Sequence, residues 1–259
     1  MTGGKLKIDI RRTHILEQLQ QDGKISVMQL SEMLDVTPAT IRNDLDFLEQ
    51  EGYLLRVQGG AVPVRGSSAV PSAQAFSDPR GPEKRAIALE AAQMVKDGET
   101  LFINSGTTTE YVAEALSARS NLNVVTNSLA VARTLGVVPT IRVLLLGGEI
   151  NASYGFTHGG DAQEQLLRYQ ADWAILSVDG VSAEGGITTY HAEEAVIDRM
   201  MLRGAKNAMI VADHSKIGRT GFSRVREQLE QIRLVTGGGA EEALEALREA
   251  GVRITQVSC

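Results

Sequence analysis

Residues 66–82 divide the chain into two stretches of different periodicity, and that division limits the fold more than any other feature. The segment is rich in Ser, Ala and Gly and carries three of the six prolines, Pro71, Pro79 and Pro82. Such a composition suits a linker and interrupts helix and strand alike. Before it, apolar residues recur at helical spacing in three short segments. After it, apolar strand-like runs alternate with helical ones. The expected organisation is a small head at 1–63, a linker at 64–78 and a larger domain at 79–259.

In the head, the first helical segment places Ile15, Leu16 and Leu19 on one face, and Gly23 stops it. Ser26 and Gln29 form a capping-box pattern ahead of a second segment with Leu30, Met33 and Leu34 on its stripe. Thr37-Pro38 opens the third, with a hydroxyl at the N-cap and proline at the first helical position. Ile41, Leu45 and Leu48 run along it as far as Gly52. Residues 53–57 and 58–62 then read as a hairpin turning at Gly59-Gly60. Three helices followed by a β-wing predict a winged helix-turn-helix.

Such a unit offers its second helix of the pair to the DNA major groove. With Ile41, Leu45 and Leu48 inward, a 100° step per residue turns Ala39, Asn43 and Asp46 outward, flanked by Thr40 and Arg42. Asparagine pairs bidentately with adenine, and an alanine methyl suits a thymine methyl. Arg42 suits either a guanine or a phosphate. The expected DNA-contacting set is Arg11, Arg12, Ser26, Thr37, Ala39, Thr40, Arg42, Asn43, Arg56 and Gln58.

Charge does not make this case by itself. The chain has a formal net charge of -6, and its first 65 residues carry eight Lys or Arg against nine Asp or Glu. DNA binding must come from how the charges are placed, not from their sum. The composition is otherwise that of a globular domain, 43% hydrophobic and 22% charged. No apolar run of about 18 residues spans a membrane. The start lacks the apolar core of a secretory signal. Cys259, the single cysteine, excludes an internal disulfide and a multi-cysteine metal site. The expected location is the cytoplasm.

In the larger domain, helix 83–96 precedes strands at 100–104, 123–126, 141–146, 173–178, 208–212, 234–236 and 252–257, with helices between them, including 240–250. This alternation predicts a mostly parallel sheet covered on both faces. Ser105-Gly106-Thr107-Thr108-Thr109 follows a strand and opens a helix, the arrangement that aims several amides and a helix dipole at an anion. No Gly-Lys-Ser/Thr follows, which disfavours a nucleoside triphosphate. Ser105 to Thr109, Asn127-Ser128, Gly147-Gly148, Asp179-Gly180 and Lys216 all follow predicted strands. In a parallel sheet they therefore share one edge, where ligands sit. The expected effector-binding set is Lys84, Ser105, Gly106, Thr107, Thr108, Thr109, Asn127, Ser128, Gly148, Asp179, Gly180, Glu193 and Lys216.

His191 and Glu193 form a His-x-Glu pair without the further ligands a metal site needs. His158 and His214 read as hydrogen-bonding loop residues, and Arg224 and Arg226 as part of a solvated helix face. No metal and no cofactor is expected.

Arg11-Arg12, Val36-Thr37-Pro38-Ala39-Thr40-Ile41-Arg42-Asn43-Asp44-Leu45 and Arg56-Val57-Gln58-Gly59-Gly60-Ala61 resemble the DeoR family of bacterial regulators. The resemblance continues through Lys84-Arg85, Asp97-Gly98, the Ser105 loop, Thr126-Asn127-Ser128, Gly147-Gly148, Asp179-Gly180 and Asp213-His214-Ser215-Lys216. It implies an oligomeric repressor, dimer or tetramer, that binds a double-stranded DNA operator and answers to a sugar phosphate. Asn104 and Gly237 depart from it, standing where the family often carries acids.

The second domain is also similar to ribose-5-phosphate isomerase and CoA-transferase-like folds. Under that likeness Ser105-Gly106-Thr107-Thr108 matches a phosphate loop, Asp179-Gly180 a catalytic aspartate motif and Glu193 a glutamate base. Ser182 replaces the motif's second aspartate, and no lysine lies between Asp179 and Glu193. Isomerisation needs a base and a group to stabilise the enediolate. The alternative, a sugar-phosphate isomerase or lyase fused to a helical dimerisation module, also leaves Thr37 to Asn43 without a use. The expected molecule is an α/β regulator: a winged helix-turn-helix joined to a mostly parallel sensor domain, without enzymatic activity.

Overall fold

Capping decides where the head's helices begin. The computed structural model describes residues 8–50, 54–63 and 80–258; the expected linker at 64–78, Gly52 and Cys259 lie outside them. Helix α1 is Ile8–Asp22, strand β1 is Ile25–Ser26 and helix α2 is Val27–Met33. The expected capping box starts α2: Gln29 N donates to Ser26 Oγ at 3.2 Å, and Ser26 N donates to Gln29 Oε1 at 3.1 Å. Helix α3, Pro38–Gln50, begins after Thr37, whose Oγ1 accepts from Thr40 N at 3.2 Å.

Strands β2, Leu54–Val57, and β3, Gly60–Pro63, form the wing. The hairpin was legible, but a third strand was not: β1 pairs antiparallel with β3, Ile25 opposite Ala61. A Cβ on Gly60 would lie 1.9 Å from the Ile25 carbonyl oxygen, so glycine is what lets these backbones meet. Ile15, Leu19, Leu30, Ile41, Leu45, Leu48 and Leu54 are buried together as the head's core. Each such side chain contributes about 1.5–3 kcal/mol.

The chain divides into two compact units, Met1–Val70 and Pro71–Cys259. The second is built on a seven-stranded, wholly parallel sheet. Along the chain its strands are β4 (Thr100–Ile103), β5 (Asn123–Thr126), β6 (Arg142–Leu145), β9 (Ala171–Leu176), β12 (Ala205–Val211), β14 (Ile232–Gly237) and β15 (Arg253–Val257). Their order across the sheet is β15-β14-β12-β9-β4-β5-β6. A hairpin of β7 (Glu149–Asn151) and β8 (Phe156–His158) follows β6, and a small antiparallel sheet joins β10 (Gly180–Ser182), β11 (Gly186–Thr189) and β13 (Ser223–Arg226). Arg224 and Arg226 thus lie on a strand, not on the expected helix.

Strand alternation sends side chains to two helical layers. Leu101 and Ile103 pack with Ile87 of α4 (Gly81–Gln93), Val112 of α5 (Thr107–Leu116) and Val131 of α6 (Leu129–Gly136). Phe102 packs on the other face with Leu166 of α7 (Gly160–Leu166), Ile197 of α8 (Ala192–Gly204) and Leu244 of α9 (Glu241–Glu249). The chain winds outward from β4 through β5 to β6, then returns to β9 and winds outward the other way. The reversal leaves a crevice at the carboxyl ends of β4 and β9, where ligands bind in such sheets.

Candidate functional site

Asn104 follows β4 and joins it to the loop after β9. Its Nδ2 donates to Ser177 O at 2.9 Å, and its Oδ1 accepts from Ser177 N at 2.8 Å. Gly106 then turns at φ 147°, where a Cβ would lie 2.6 Å from Ser177 Cβ. That turn brings the first amides of α5 to the crevice, with the positive end of the helix dipole behind them. Lys84, largely buried on α4, donates to Thr107 Oγ1 at 2.8 Å, and Thr107 itself is exposed. A helix start, a hydroxyl and an ammonium therefore meet at Thr107, an arrangement that suits a phosphate.

The loop's other hydroxyls face elsewhere. Thr108 is buried, and Thr109 Oγ1 turns inward to Asn104 O at 3.0 Å and Gly106 O at 2.9 Å. Those two residues hold the loop's shape, contrary to the expectation that all its hydroxyls line the anion site.

Ser105 donates its hydroxyl to Glu194 Oε1 at 2.7 Å. Thr189 Oγ1 lies 2.9 Å from Glu194 Oε2 and 3.0 Å from Asp179 Oδ2. One hydroxyl proton cannot serve both acids at once, so a further proton is held within the Glu194–Thr189–Asp179 chain. Burial, and then the charge of Asp179, push Glu194 up to about 7. Asp198, whose Oδ1 accepts from Asn104 Nδ2 at 3.0 Å, is also raised, by burial and by Glu194. Asp179 completes the chain: Tyr190 N donates to it at 2.9 Å, and Lys216 Nζ stands 3.5 Å away.

Glu193 is exposed and outside this cluster; the carboxylate at the crevice is Glu194. Helical phase carried the signal. Ile197, Met201 and Leu202 mark the buried face of α8, and Glu194 and Asp198 lie on it one turn apart.

On the opposite flank, Glu83 of α4 accepts from His214 N at 2.8 Å, and its other oxygen is 2.8 Å from His214 Nδ1. Asp213 is buried beside Arg80 at 3.7 Å and Lys84 at 3.9 Å. Burial alone would raise its carboxyl, but the Ser215 hydroxyl and the charges of Lys84, Lys216 and Arg80 hold it below the ordinary value. Ligand-type atoms of Glu83, Asp213 and His214 lie within 4.8 Å of one another. Lys84, Lys216 and Arg80, the cations around Asp213, already meet much of the charge a metal would otherwise balance.

The remaining expected residues are structural neighbours of the crevice. Asn127 Nδ2 donates to Thr157 O at 3.2 Å, and Ser128 Oγ caps α6 by accepting from Val131 N at 3.2 Å. Gly148 and Gly180 allow close packing: a Cβ there would lie 2.3 Å from His158 O and 2.5 Å from Arg219 O respectively.

In the head, Ala39, Arg42, Asn43 and Asp46 are exposed on α3, opposite the buried stripe, and Gln58 is exposed at the wing tip. The arginines are placed otherwise than expected. Arg11 is buried, with Nε 2.5 Å from Asp44 Oδ2; Arg12 reaches the same carboxylate at 3.0 Å and lies over the Phe47 ring. Asp44 thus draws both guanidiniums inward and ties α1 to α3. Arg56 folds back onto α3, paired with Asp46 and donating to Arg42 O at 3.3 Å. Ser26 and Thr37 are occupied as caps.

The DeoR-like helix-turn-helix domain matches residues 11–65, and the DeoR C terminal sensor domain matches residues 80–237. The glycerol-3-phosphate regulon repressor of Escherichia coli (strain K12) is 36% identical over 82% of this chain and 84% of its own. The chain belongs to the DeoR family. The HTH-type transcriptional repressor GlcR of Bacillus subtilis (strain 168) is 33% identical over 87% of both chains. Among solved structures, ribose 5 phosphate isomerase A of Neisseria gonorrhoeae aligns with 55% of this chain and 54% of its own, at 18% identity and TM-score 0.39. That is a distant likeness and transfers no activity.

As a DeoR-family member the chain is a DNA-binding transcription regulator, not an enzyme. Ser182 accepts from Gly185 N at 2.9 Å and lies 2.9 Å from Thr220 Oγ1, so it serves a turn. Among the described residues, no helix is long and apolar enough to cross a membrane.

Proposed function

We propose that this DeoR-family regulator is a cytoplasmic repressor of a carbohydrate-metabolism operon, released from or held on its operator by a phosphorylated sugar. The observation that carries the effector's class is the Lys84–Thr107 contact at the start of α5. An ammonium, a helix N-terminus and a hydroxyl at one strand-end crevice favour a monoester phosphate over a neutral sugar. Asp179 and Lys216 stand at the same edge to engage hydroxyls. The names of the relatives, a glycerol-3-phosphate regulon repressor and a repressor GlcR, support repression as the mode.

In the head, α3 enters the major groove with Asn43 on an adenine, Ala39 and Thr40 beside it, and Arg42 on a base or phosphate. Sensor domains of a dimer or tetramer associate differently with and without effector, which changes the spacing of paired heads. The ligand must bind the two arrangements unequally for this to work. No cofactor is required.

Thermal-shift measurement on the full chain tests the effector class. A phosphorylated sugar at a hundredfold excess over Kd stabilises the sensor by about 2.7 kcal/mol, and the same sugar without phosphate should give no comparable shift. Equal shifts from both would contradict a phosphate site.

A further inference from the structure

The carboxyl end of β14 leaves a space that the Glu83 side chain of α4 fills. Gly237 ends β14, and a Cβ there would lie 2.1 Å from Glu83 Oε1 and 2.6 Å from its Cδ. Glu83 can occupy this position only because residue 237 has no side chain. From it, one oxygen accepts His214 N at 2.8 Å and the other lies 2.8 Å from His214 Nδ1. A carboxylate offers only acceptors, so Nδ1 carries the proton and, in the neutral ring, Nε2 is an acceptor. Nε2 has no hydrogen-bond partner among the described residues, and the His214 side chain is 43% exposed. His214 follows Asp213 at the end of β12, and Asp213 is joined through Lys84 to Thr107.

We propose that His214 reads a hydroxyl of the effector, accepting its hydrogen bond at Nε2, and that Glu83 is the positioning residue that fixes the ring and its tautomer. The inference rests on the sugar-phosphate reading of the Thr107 site. It adds a specificity residue that discriminates among phosphate esters by their hydroxyls. Nothing about it requires His214 to touch the phosphate.

Chemistry provides a sharp perturbation. In Glu83→Gln, the amide must turn its oxygen to the His214 N–H, since two donors cannot face each other. Its NH2 group then faces Nδ1, which must become the acceptor, and the proton moves to Nε2. The acceptor offered to the hydroxyl is replaced by a donor without loss of volume.

The test is calorimetry on the full chain with inorganic phosphate, glycerol 3-phosphate, ribose 5-phosphate, glucose 6-phosphate and fructose 6-phosphate. If no ester binds the wild type more tightly than inorganic phosphate, both the effector reading and this inference fall. With a preferred ester in hand, His214→Leu should weaken it by about tenfold and leave inorganic phosphate unchanged. His214→Gln, whose side-chain oxygen can reach the Nε2 position, should retain most of the affinity. Glu83→Gln should behave like His214→Leu, with ¹⁵N chemical shifts of His214 reporting protonation at Nε2. An ester affinity unchanged in His214→Leu would overturn the inference and leave the effector reading intact. So would an equal loss for ester and inorganic phosphate, or a Glu83→Gln variant that keeps both the wild-type tautomer and the wild-type affinity.

Discussion

Ser105 in the loop after β4 donates its hydroxyl to Glu194 at 2.7 Å, although the two residues stand 89 positions apart. The contact fastens the loop after β4 to the first turn of α8, across the crevice between β4 and β9. The loop therefore takes its position from a buried acid as well as from its own turn. Because Glu194 titrates near neutrality, the contact also has consequences for pH dependence.

Glu194 is raised from 4.5 to about 7 in the fold. For an acid raised on folding, the stabilising contribution is complete below the unfolded value and is lost as pH rises through the folded one. Stability should therefore fall between about pH 4.5 and pH 7, by an amount on the order of 3 kcal/mol at most. The raised Asp198 acts in the same direction. Glu194→Gln mimics the protonated acid, donating to Thr189 and still accepting from Ser105. Denaturation of the full chain at pH 5, 6, 7 and 8 should show a flatter profile in this variant. Identical profiles for the two proteins would contradict the assignment.

Asp44 accepts two arginines while almost fully buried, and this pairing sets the pose of α3. Asp44→Ala leaves the buried Arg11 uncompensated and should cost about 3–5 kcal/mol, enough to unfold the head. Arg11→Met should destabilise the head less, since Arg12 still serves Asp44. It should also leave the slope of log K against log salt for DNA binding unchanged, because a guanidinium already neutralised in the fold displaces no phosphate counterion. A flatter slope in Arg11→Met would place that arginine on the DNA after all.

Asn43 is the exposed amide on α3 best suited to a base edge. Asn43→Ala should lose about 1–3 kcal/mol on the cognate operator and relax one A·T position, with little change on random DNA. Competition titrations with operator variants measure both. Equal losses on operator and random DNA would mean that Asn43 does not read sequence.

The elements that carry local signals were legible in the sequence. The capping box at Ser26, the Thr37-Pro38 start, the Ile41/Leu45/Leu48 stripe and the run of parallel strands all stand as read. What stayed hidden depends on partners remote in sequence. Nothing local says that Asp44 will draw Arg11 and Arg12 inward, or that Glu83 will fill the space beside Gly237. The β1–β3 pairing leaves no local signal because β1 has only two residues, too few for an alternation to register. Glu193 fits the motif position, whereas the helical phase of α8 points to its neighbour Glu194.

The central claim is that Thr107 and the amides behind it hold the effector's phosphate. Thr107→Asp places a carboxylate beside Lys84, which pairs with it and sets like charge against the phosphate. Losing a charge-assisted contact of this kind costs about 1.5–3 kcal/mol before the repulsion is added. The decisive measurement is an operator-binding titration of the full-length Thr107→Asp variant, with and without a sugar phosphate that moves the wild type. Operator affinity near that of wild type together with no response to the sugar phosphate is the predicted result. A variant that still answers to the sugar phosphate as the wild type does would place the sensing site elsewhere.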